Sequence, residues 1–234
     1  MEKLRGAIVG CGGIANGKHL PALKTVKDIE LVAFCDIIVE RAEKAAKEYG
    51  VEGARVYEDY RELLKVEKPD VVHVCTPNRE HSEVAIAAME AGADVLCEKP
   101  MAINEAEAKA MLECAQRTGR TLSIGYQSRY RADSQYMKAE CEKGTFGNIY
   151  FAKAHAIRRR AVPTWGVFLN EEEQGGGPLI DIGTHALDLT LWMMDNYEPA
   201  YCVGTKYREL AEQGKGSGND WGDWDPSKFT VEDS

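Results

Sequence analysis

The sequence predicts an α/β protein whose first half is a doubly wound parallel sheet with helices on both faces. Three observations indicate this class. Short apolar runs alternate with helical patterns as far as about residue 126, polar residues cluster where the runs end, and the first run breaks into glycines just before a helix. Ligands bind at the carboxyl ends of parallel strands, so we expect the functional residues in these clusters.

The first apolar run is followed by Gly-Cys-Gly-Gly-Ile-Ala at positions 10–15, which fits the G-x-G-x-x-A fingerprint of dinucleotide-binding units. The first glycine permits the tight turn, and the second lets the backbone approach a pyrophosphate, which the amides of the next helix then face. Asp36 ends the second run, near the spacing of a ribose-binding acid. The residues predicted to contact the dinucleotide here are Gly10, Gly12, Gly13, Ile14 and Asp36. Because a carboxylate repels a 2′-phosphate, Asp36 favours NAD over NADP.

Composition excludes several kinds of partner. The formal net charge of -9 argues against nucleic acid and anionic membranes, so we expect neither, and a small-molecule ligand fits better. No run reaches the roughly 18 apolar residues of a membrane span, and the charged start leads into a strand instead of a signal-peptide core. We therefore expect a cytoplasmic protein.

The seven cysteines lack the paired spacing of a metal site, so no metal is predicted. Four of them, Cys11, Cys35, Cys75 and Cys97, lie in or just after apolar strand runs, where a thiol behaves as a small hydrophobe. We expect reduced core cysteines. Cys11 lies at a helix N-terminus, which lowers a thiol pKa, but as the first variable position of the glycine turn it is more simply a spacer.

The remaining elements of the first half follow from periodicity and from start and stop residues. Helices are predicted at 18–26, 42–49, 60–65 and 82–91, and between an N-cap at Asn104 and a stop at Gly119. Strands are predicted at 31–35, 71–75, 94–97 and 121–126. The run at 71–75 is nearly continuous, as in a strand buried on both faces of a sheet.

The character of the chain changes near residue 122, so we expect two domains, 1–122 and 123–234. Aromatic and basic residues enter at 125–130, and a helix follows as far as Lys143. Beyond it we predict strands at 149–158 and 201–207, and an apolar helix at 179–194 after a glycine break. Two strands are too few for an independent sheet, so we expect an incomplete second domain with an uncovered apolar face.

Two polar clusters follow strands of the predicted sheet. Thr76-Pro77-Asn78 with His81 would lie beside the nicotinamide half of a bound dinucleotide, although these residues could also form a plain turn and helix cap. Glu98-Lys99-Pro100 follows the next strand, where Lys99 could bind an alcohol oxygen and stabilise the alkoxide as hydride leaves its carbon. The alternative for Lys99 is a solvated surface lysine.

Asp181, His185 and Asp188 follow at helical spacing, which places them on one face of an otherwise apolar helix. A neutral imidazole held by a carboxylate is a natural general base for an alcohol proton, and a carboxylate could equally bind substrate hydroxyls. The alternatives are a core histidine satisfied by Asp188 and a divalent-metal site. Arg158-Arg159-Arg160 and Trp165 could line a polar substrate pocket, or the arginines could form a solvated loop.

Together these motifs make the chain resemble the Gfo/Idh/MocA family, the group of glucose-fructose oxidoreductase and inositol dehydrogenase. The resemblance rests on GCGGIA at 10–15, Asp36, TPN with His81, EKP at 98–100, GYQSRY at 125–130 and GGGPLIDIGTHALD at 175–188. It implies an N-terminal Rossmann domain and a C-terminal α/β domain with a mainly antiparallel open sheet. It also implies NAD or NADP, and oxidation or reduction at a carbon of a sugar or polyol.

The resemblance also implies roles for single residues. Lys99, Asp181 and His185 correspond to a catalytic trio that contacts substrate, with His185 the acid/base. Glu98 and Gln127 would join the cofactor site, and Arg129 and Trp165 the substrate site. A homo-oligomer, a dimer or tetramer formed through the C-terminal sheet, is also implied. Members of the family usually run further, so we expect this chain to be truncated.

The resulting hypothesis is an NAD-dependent dehydrogenase that acts on a secondary alcohol carbon of a sugar, polyol or sugar derivative. His185 would remove the hydroxyl proton while Lys99 stabilises the oxygen, which predicts that both side chains lie beside the nicotinamide. Two alternatives remain open. One is an NAD-dependent glycosidase that oxidises its sugar transiently, and the other is a dinucleotide-binding protein without turnover.

Overall fold

A computed structural model describes residues 3–158, 161–214 and 218–234 of the chain. The chain divides into two compact units, Met1–Gly125 and Tyr126–Ser234. None of the helices in the described ranges combines the length and the apolarity that a membrane span needs.

The first unit is built on a six-stranded sheet. Its strands are β1 Leu4–Val9, β2 Ile29–Cys35, β3 Arg55–Tyr57, β4 Val71–Val74, β5 Asp94–Cys97 and β6 Leu122–Ile124. The order across the sheet is β3-β2-β1-β4-β5-β6, and every neighbouring pair is parallel. The chain starts in the middle, builds outward to β3, and returns to begin the other half beside β1. The predicted doubly wound parallel sheet is confirmed.

Helices cover both faces of this sheet. They are α1 Leu20–Leu23, α2 Val39–Tyr49, α3 Tyr60–Glu67, α4 His81–Glu90 and α5 Glu105–Thr118. The side chains between sheet and helices form two apolar clusters, one around Val72 and Met111 and the other around Ile8 and Phe34. The inner strands β1, β2, β4 and β5 are therefore largely buried on both faces, which is why they read as nearly continuous apolar runs, whereas the edge strands β3 and β6 are partly exposed.

The first helix differs from its predicted range of 18–26. A π-helical segment, Ala15–His19, leads directly into α1. It starts earlier because the Asn16 side chain donates to the carbonyls of Cys11 and Gly12, at 2.7 and 2.8 Å, and so holds the glycine loop against the first turn. α1 ends earlier because the amides of residues 25 and 26 bond three residues back instead of four.

Glu67, the last residue of α3, is a buried carboxylate near one edge of the sheet, with a side chain only 4% exposed. Arg5 Nη2 donates to it at 3.0 Å, Arg55 Nε at 2.5 Å and the Tyr57 hydroxyl at 2.6 Å. Burial raises the pKa of Glu67, but the hydrogen bonds from Tyr57 and Arg55 outweigh it and hold the pKa below its usual range. The carboxylate therefore ties β1, β3 and α3 together.

The described part of the second unit contains the helices α6 Ala132–Glu142, α7 Glu171–Gln174 and α8 Thr184–Met194. A π-helical segment, Leu179–Gly183, follows the glycine break and precedes α8, so the predicted helix at 179–194 is confirmed with an irregular first turn. A small core lies near the end of the chain, where Trp224 donates from Nε1 to the Ala211 carbonyl at 2.9 Å.

The prediction of strands at 149–158 and 201–207 was wrong, because both ranges are irregular in the structure. Their apolar side chains face solvent, and Tyr150, Tyr201 and Val203 are 87, 85 and 84% exposed. A strand needs a neighbour for its backbone hydrogen bonds, and no ladder joins the two ranges in the described parts of the chain. These ranges expose apolar side chains, but in the described residues they do not form the cut sheet whose uncovered face was expected, and the incompleteness of the second domain stays a prediction.

Candidate active site

The glycine loop connects β1 to the π-helical segment at the carboxyl edge of the sheet. Gly10 has a φ of 90°, and a Cβ there would lie 2.6 Å from the carbonyl carbon and oxygen of Cys75. Both the conformation and the close backbone approach therefore require glycine. Gly12 and Gly13 differ, because a Cβ at either position would meet no atom within 4 Å. The loop leaves open space where the helix amides begin, as a bound pyrophosphate requires.

Asp36 lies directly after β2, against the glycine loop, and is 8% exposed. Its Oδ2 accepts the amide of Cys11 and its Oδ1 accepts the amide of Ile38, both at 2.8 Å. A carboxylate has about four lone-pair sites, so two amides leave acceptor capacity for ribose hydroxyls. The ribose-binding role of Asp36 stays a prediction, and this geometry favours it.

Thr76 follows β4, which lies beside β1 where the strand order reverses. Its hydroxyl oxygen is buried and has no hydrogen-bond partner among the residues that the structure describes. A buried hydroxyl without a partner costs free energy, which a polar group of a bound molecule would recover. This hydroxyl and the open space at the glycine loop together fit a bound dinucleotide.

Pro77 and Asn78 follow at the start of a short 3₁₀ turn, Asn78–Glu80. Asn78 is buried and begins this turn, and the residue before α4 is Glu80, so Asn78 is not the cap of that helix, while the turn that the alternative also expected is present. The predicted cofactor contact of both residues stays a prediction.

His81 begins α4 and is fully buried. Its Nδ1 lies 2.7 Å from the Pro100 carbonyl and its Nε2 lies 3.1 Å from the Thr76 carbonyl. Burial lowers the pKa of His81, and the two carbonyls oppose this only in part. A neutral imidazole has one N–H, and the shorter distance favours donation from Nδ1 to the Pro100 carbonyl, with Nε2 facing the Thr76 carbonyl. This placement favours a role in holding two loops together over direct contact with a nicotinamide.

Glu98-Lys99-Pro100 follows β5, and the Lys99-Pro100 peptide bond is cis. The Glu98 carboxylate accepts the Lys99 amide on Oε2 at 3.2 Å, and its Oε1 lies 2.8 Å from His19 Nε2. Burial raises the pKa of Glu98, but the hydrogen bonds from His19 and the Lys99 amide, together with the charges of both residues, outweigh it and lower the pKa. Lys99 is half-buried, which weakens the alternative of a solvated lysine.

Two histidines beside this loop, His19 and His73, carried no predicted role. Their Nδ1 atoms are 3.0 Å apart. His73 lies on β4 and is 7% exposed, and burial together with the charge of His19 lowers its pKa to about 4. The signal in the sequence was a polar residue inside the apolar run at 71–75, which periodicity alone passes over.

In the second unit, Asp188 is held by Arg129. Nε of the guanidinium donates to Oδ2 at 2.8 Å and Nη2 donates to Oδ1, so the contact is a two-pronged fork. Arg129, which lies outside α8, is therefore a partner of Asp188. The alternative in which Asp188 also satisfies a core His185 stays open. The predicted contact of Arg129 with substrate stays a prediction.

His185 lies in the first turn of α8, and Asp181 lies in the π-helical segment before it. The Tyr126 ring approaches the His185 ring edge-on, with 6.3 Å between centroids, and its hydroxyl lies 3.1 Å from Thr184 Oγ1. Arg158 Nη1 lies 3.6 Å from Asp181 Oδ2. The general-base role predicted for His185 stays a prediction.

A cavity of about 250 Å³ opens beside Asp181 within the second unit. Its lining combines apolar side chains such as Phe168 with the carboxylates of Asp181 and Glu232. Trp165 contacts this lining from outside, with its ring centroid 5.7 Å from that of Phe168 and 4.7 Å from that of Trp221. A sugar hydroxyl could be accepted by the carboxylates, so the cavity is a candidate for part of a substrate site.

The other residues of the predicted sites have simpler surroundings. Gln127 begins a 3₁₀ turn, Gln127–Tyr130, and Ile14 lies at the start of the helical turn after the glycine loop. Arg158 lines the cavity, with its guanidinium 5.2 Å over the Trp221 ring. Arg159 and Arg160 lie outside the described residues.

A parallel sheet of this order, with a glycine loop after its first strand and an acid after its second, defines a dinucleotide-binding protein of the Rossmann class. Residues 4–126 match the model of the oxidoreductase family with an NAD-binding Rossmann fold, and residues 134–234 match the GFO/IDH/MocA C-terminal domain. The chain belongs to the GFO/IDH/MocA oxidoreductase family, which confirms the resemblance.

Two curated relatives are sugar dehydrogenases. The chain is 41% identical over 231 residues to the D-glucoside 3-dehydrogenase of Escherichia coli K12, a match that covers 99% of this chain and 65% of that protein. It is 34% identical over 201 residues to the glucose-6-phosphate 3-dehydrogenase of Bacillus subtilis 168, which covers 84% and 55%.

The solved structures that match this chain include oxidoreductases as well. The aldose-aldose oxidoreductase from Caulobacter crescentus, complexed with glycerol, matches with a TM-score of 0.77 at 27% identity, over 99% of this chain and 65% of that one. The WlbA dehydrogenase from Bordetella pertussis, in complex with NADH and UDP-GlcNAcA, matches with a TM-score of 0.75 at 27% identity, over 89% and 59%. This chain spans 55 to 65% of the length of these four relatives.

Proposed function

We propose that the protein is an NAD-dependent oxidoreductase that transfers a hydride between a nicotinamide cofactor and a secondary alcohol carbon of a sugar, polyol or sugar derivative. The observation that carries the proposal is the carboxyl edge of the parallel sheet. An open glycine loop, Asp36, the buried hydroxyl of Thr76 and the segment that bears Lys99 all lie along this edge. Membership of the family and the sugar dehydrogenases among its relatives support the proposal.

The first unit would hold NAD with residues of its own. Gly12, Gly13 and Ile14 would present backbone amides to the pyrophosphate, Asp36 would accept ribose hydroxyls, and the Thr76 hydroxyl would gain a partner. Bound NAD supplies the carbon that accepts or returns the hydride. Because the Asp36 carboxylate is fixed against the glycine loop, a 2′-phosphate would meet its negative charge. We therefore expect NAD to bind more tightly than NADP.

Lys99 and His185 would handle the charge and the proton of the reacting hydroxyl. The Lys99 ammonium would stabilise negative charge on the oxygen while the C–H bond breaks. The His185 imidazole would accept the hydroxyl proton during oxidation and return it during reduction. Asp181 would orient the imidazole or bind a second substrate hydroxyl. These roles are supported by the order of the motifs and by the family.

The relatives suggest which sugars to test first. Both curated sugar dehydrogenases compared above are named as 3-dehydrogenases, one of D-glucosides and one of glucose 6-phosphate. The identity of 41% to the first makes D-glucosides the leading candidates. The carboxylates in the cavity beside Asp181 suit a ligand with several hydroxyls.

We further propose that the protein works as a homo-oligomer, a dimer or tetramer, in the cytoplasm. The ranges 149–158 and 201–207 expose aromatic and aliphatic side chains, and an extended apolar surface usually marks a contact with another molecule. The seven cysteines are free, as is usual in a reducing compartment.

The test is a panel of D-glucosides, free sugars and inositols, assayed with the full-length protein and NAD by the absorbance of the reduced nicotinamide. Net formation of NADH is expected for at least one glucoside. Release of free sugar from a glucoside without net NADH would indicate a glycosidase, and binding of NAD without turnover of any compound would indicate a non-catalytic protein. A calorimetric titration in which NADP binds as tightly as NAD would contradict the assigned role of Asp36.

A further inference from the structure

His19 connects parts of the first unit that are far apart in the sequence. It is the last residue of the π-helical segment that follows the glycine loop. Its Nε2 lies 2.8 Å from Glu98 Oε1, and its Nδ1 lies 3.0 Å from His73 Nδ1. The segment after β1, the strand β4 and the loop after β5 therefore meet at one imidazole.

The positions of the protons between His73, His19 and Glu98 follow from the protonation states of the two outer groups, Glu98 and His73. Glu98 is anionic, because burial, which raises its pKa, is outweighed by the combined hydrogen bonds and positive charges of His19 and Lys99. His73 is neutral near pH 7, because burial and the charge of His19 lower its pKa to about 4. His19 therefore donates from Nε2 to Glu98, and a single proton lies between the two Nδ1 atoms. Every nitrogen that faces a partner is satisfied in this arrangement.

Two imidazoles and a carboxylate are also metal-ligand types, but the geometry does not suit a shared ion. His19 uses opposite nitrogens of its ring for its two partners, so one ion cannot contact both sides of the chain. In the described residues, no group of three or more such side chains is arranged to hold a metal. The three side chains therefore form a hydrogen-bonded chain.

The hydrogen-bonded series His73–His19–Glu98 extends to the backbone amide of Lys99. While Oε1 of Glu98 faces His19, Oε2 accepts the amide of Lys99 at 3.2 Å. On the other side of the lysine, His81 Nδ1 lies 2.7 Å from the Pro100 carbonyl. The backbone around Lys99 is thus held at both ends by histidines, directly by His81 and through Glu98 by His19.

We propose that His19 is a positioning residue for Lys99. By fixing the Glu98 carboxylate it holds the Lys99 amide, and thereby the point and direction in which the Lys99 side chain leaves the loop. A reacting group displaced by about an ångström loses much of its effect, so this contact bears on rate more than on binding. The proposal rests on the proposed function only for the catalytic role of Lys99.

Amide hydrogen exchange tests the contact without any turnover. In His19→Leu the Lys99 amide is expected to exchange about tenfold faster, the equivalent of one lost hydrogen bond, while amides in β2 and β4 stay within about twofold of wild type. In His19→Gln, whose side-chain amide can still donate to Glu98, protection of the Lys99 amide is expected to return. His155→Gln, a matched change at an exposed histidine, is expected to alter none of these amides.

Two results of this experiment would overturn the proposal. One is unchanged protection of the Lys99 amide in His19→Leu. The other is uniform acceleration across β2, β4 and the Lys99 loop, since that pattern reports a general loss of stability and no specific anchoring.

Steady-state kinetics test the consequence, on a sugar that the wild type oxidises. His19→Leu is expected to lower kcat by about tenfold or more with KM for NAD within about twofold, and His19→Gln is expected to restore most of the rate. A wild-type kcat in His19→Leu would overturn the proposal. If the wild type oxidises no compound in the panel, the proposed function fails, whereas the exchange experiment still decides whether His19 anchors Lys99.

Discussion

The two units of the chain respond differently to the same kind of local pattern. In the first, the apolar runs at 31–35, 71–75 and 94–97 form strands, whereas in the second the runs at 149–158 and 201–207 do not. These three strands of the first unit find parallel neighbours within that unit and are largely buried against its two apolar clusters. Apolar alternation therefore specifies a surface that is able to pair, while the strand itself depends on the neighbour that it pairs with.

The largest effect is expected at the loop that opens the first unit. Gly10→Ala should lower the free energy of unfolding by about 3 kcal/mol, because the left-handed conformation penalises a side chain and the new methyl would overlap the Cys75 carbonyl. Urea denaturation measures the loss. Gly53→Ala is the matched control, because Gly53 has a φ of 81° but open space at its Cβ, so that about 1 kcal/mol is expected. Equal losses would mean that the contact with Cys75 does not fix the loop.

One of the two proposed catalytic side chains, Lys99, lies in the first unit and the other, His185, lies in the second, so substitutions of them test the contribution of each unit to turnover. Lys99→Ala and His185→Ala should each lower kcat of the full-length protein by roughly 10²-fold or more, because each change removes a group that acts on the reacting hydroxyl. The Kd for NAD should change little in either variant. Turnover close to wild type in one of them would remove that residue from the proposed chemistry.

The buried Glu67 cluster gives the first unit a pH dependence. The pKa of Glu67 is lowered in the folded state, so its contribution is full above the ordinary value of about 4.3 and is lost as the pH falls towards the folded value. Glu67→Gln should lower the free energy of unfolding by about 1 to 3 kcal/mol at neutral pH, and by less near pH 3. Urea titrations at the two pH values measure both. A loss that is the same at both would mean that the charge of Glu67 is not what Arg5 and Arg55 bind.

The smallest effect is expected on the exposed face of the second unit. Val203→Ala should change the free energy of unfolding by less than about 0.5 kcal/mol, because the side chain is 84% exposed. The same substitution at Val72, which is fully buried in the sheet, should cost about 2 to 3 kcal/mol. A large loss at Val203, measured in dilute protein by urea denaturation, would show that this face is covered in solution.

Most of the first unit could be predicted because its information is local. Each strand has its neighbour within a few elements, and single residues mark the ends, as when Asn104 accepts the amide of Glu107 at 3.0 Å to begin α5. The π-helical segment Ala15–His19 could not be predicted, because it depends on Asn16 reaching back to two carbonyls of the glycine loop. The pattern of apolar residues does not predict a side-chain hydrogen bond of this kind.

In the candidate sites, too, contacts between residues far apart in the sequence could not be predicted. The residue types and their order pointed to Asp36, Lys99 and Thr76, which lie along one edge of the sheet. The contact of His19 with Glu98 joins positions 79 residues apart, and no spacing rule connects them. Helical spacing likewise grouped Asp188 with His185, but the partner of Asp188 comes from another element, 59 residues earlier. Chemistry can be predicted from motifs, whereas the bonds that orient the reacting groups depend on tertiary packing.

The position of Asp36 limits any redesign of cofactor preference. The carboxylate expected to exclude a 2′-phosphate also accepts the amides of Cys11 and Ile38, so it is part of the loop's own structure. A smaller uncharged residue at 36 would admit the extra phosphate and at the same time release the amide that follows Gly10. The preference for NAD and the structure of the glycine loop therefore depend on the same side chain. A change of preference made at this one position will appear first as a less stable protein, before any cofactor is added.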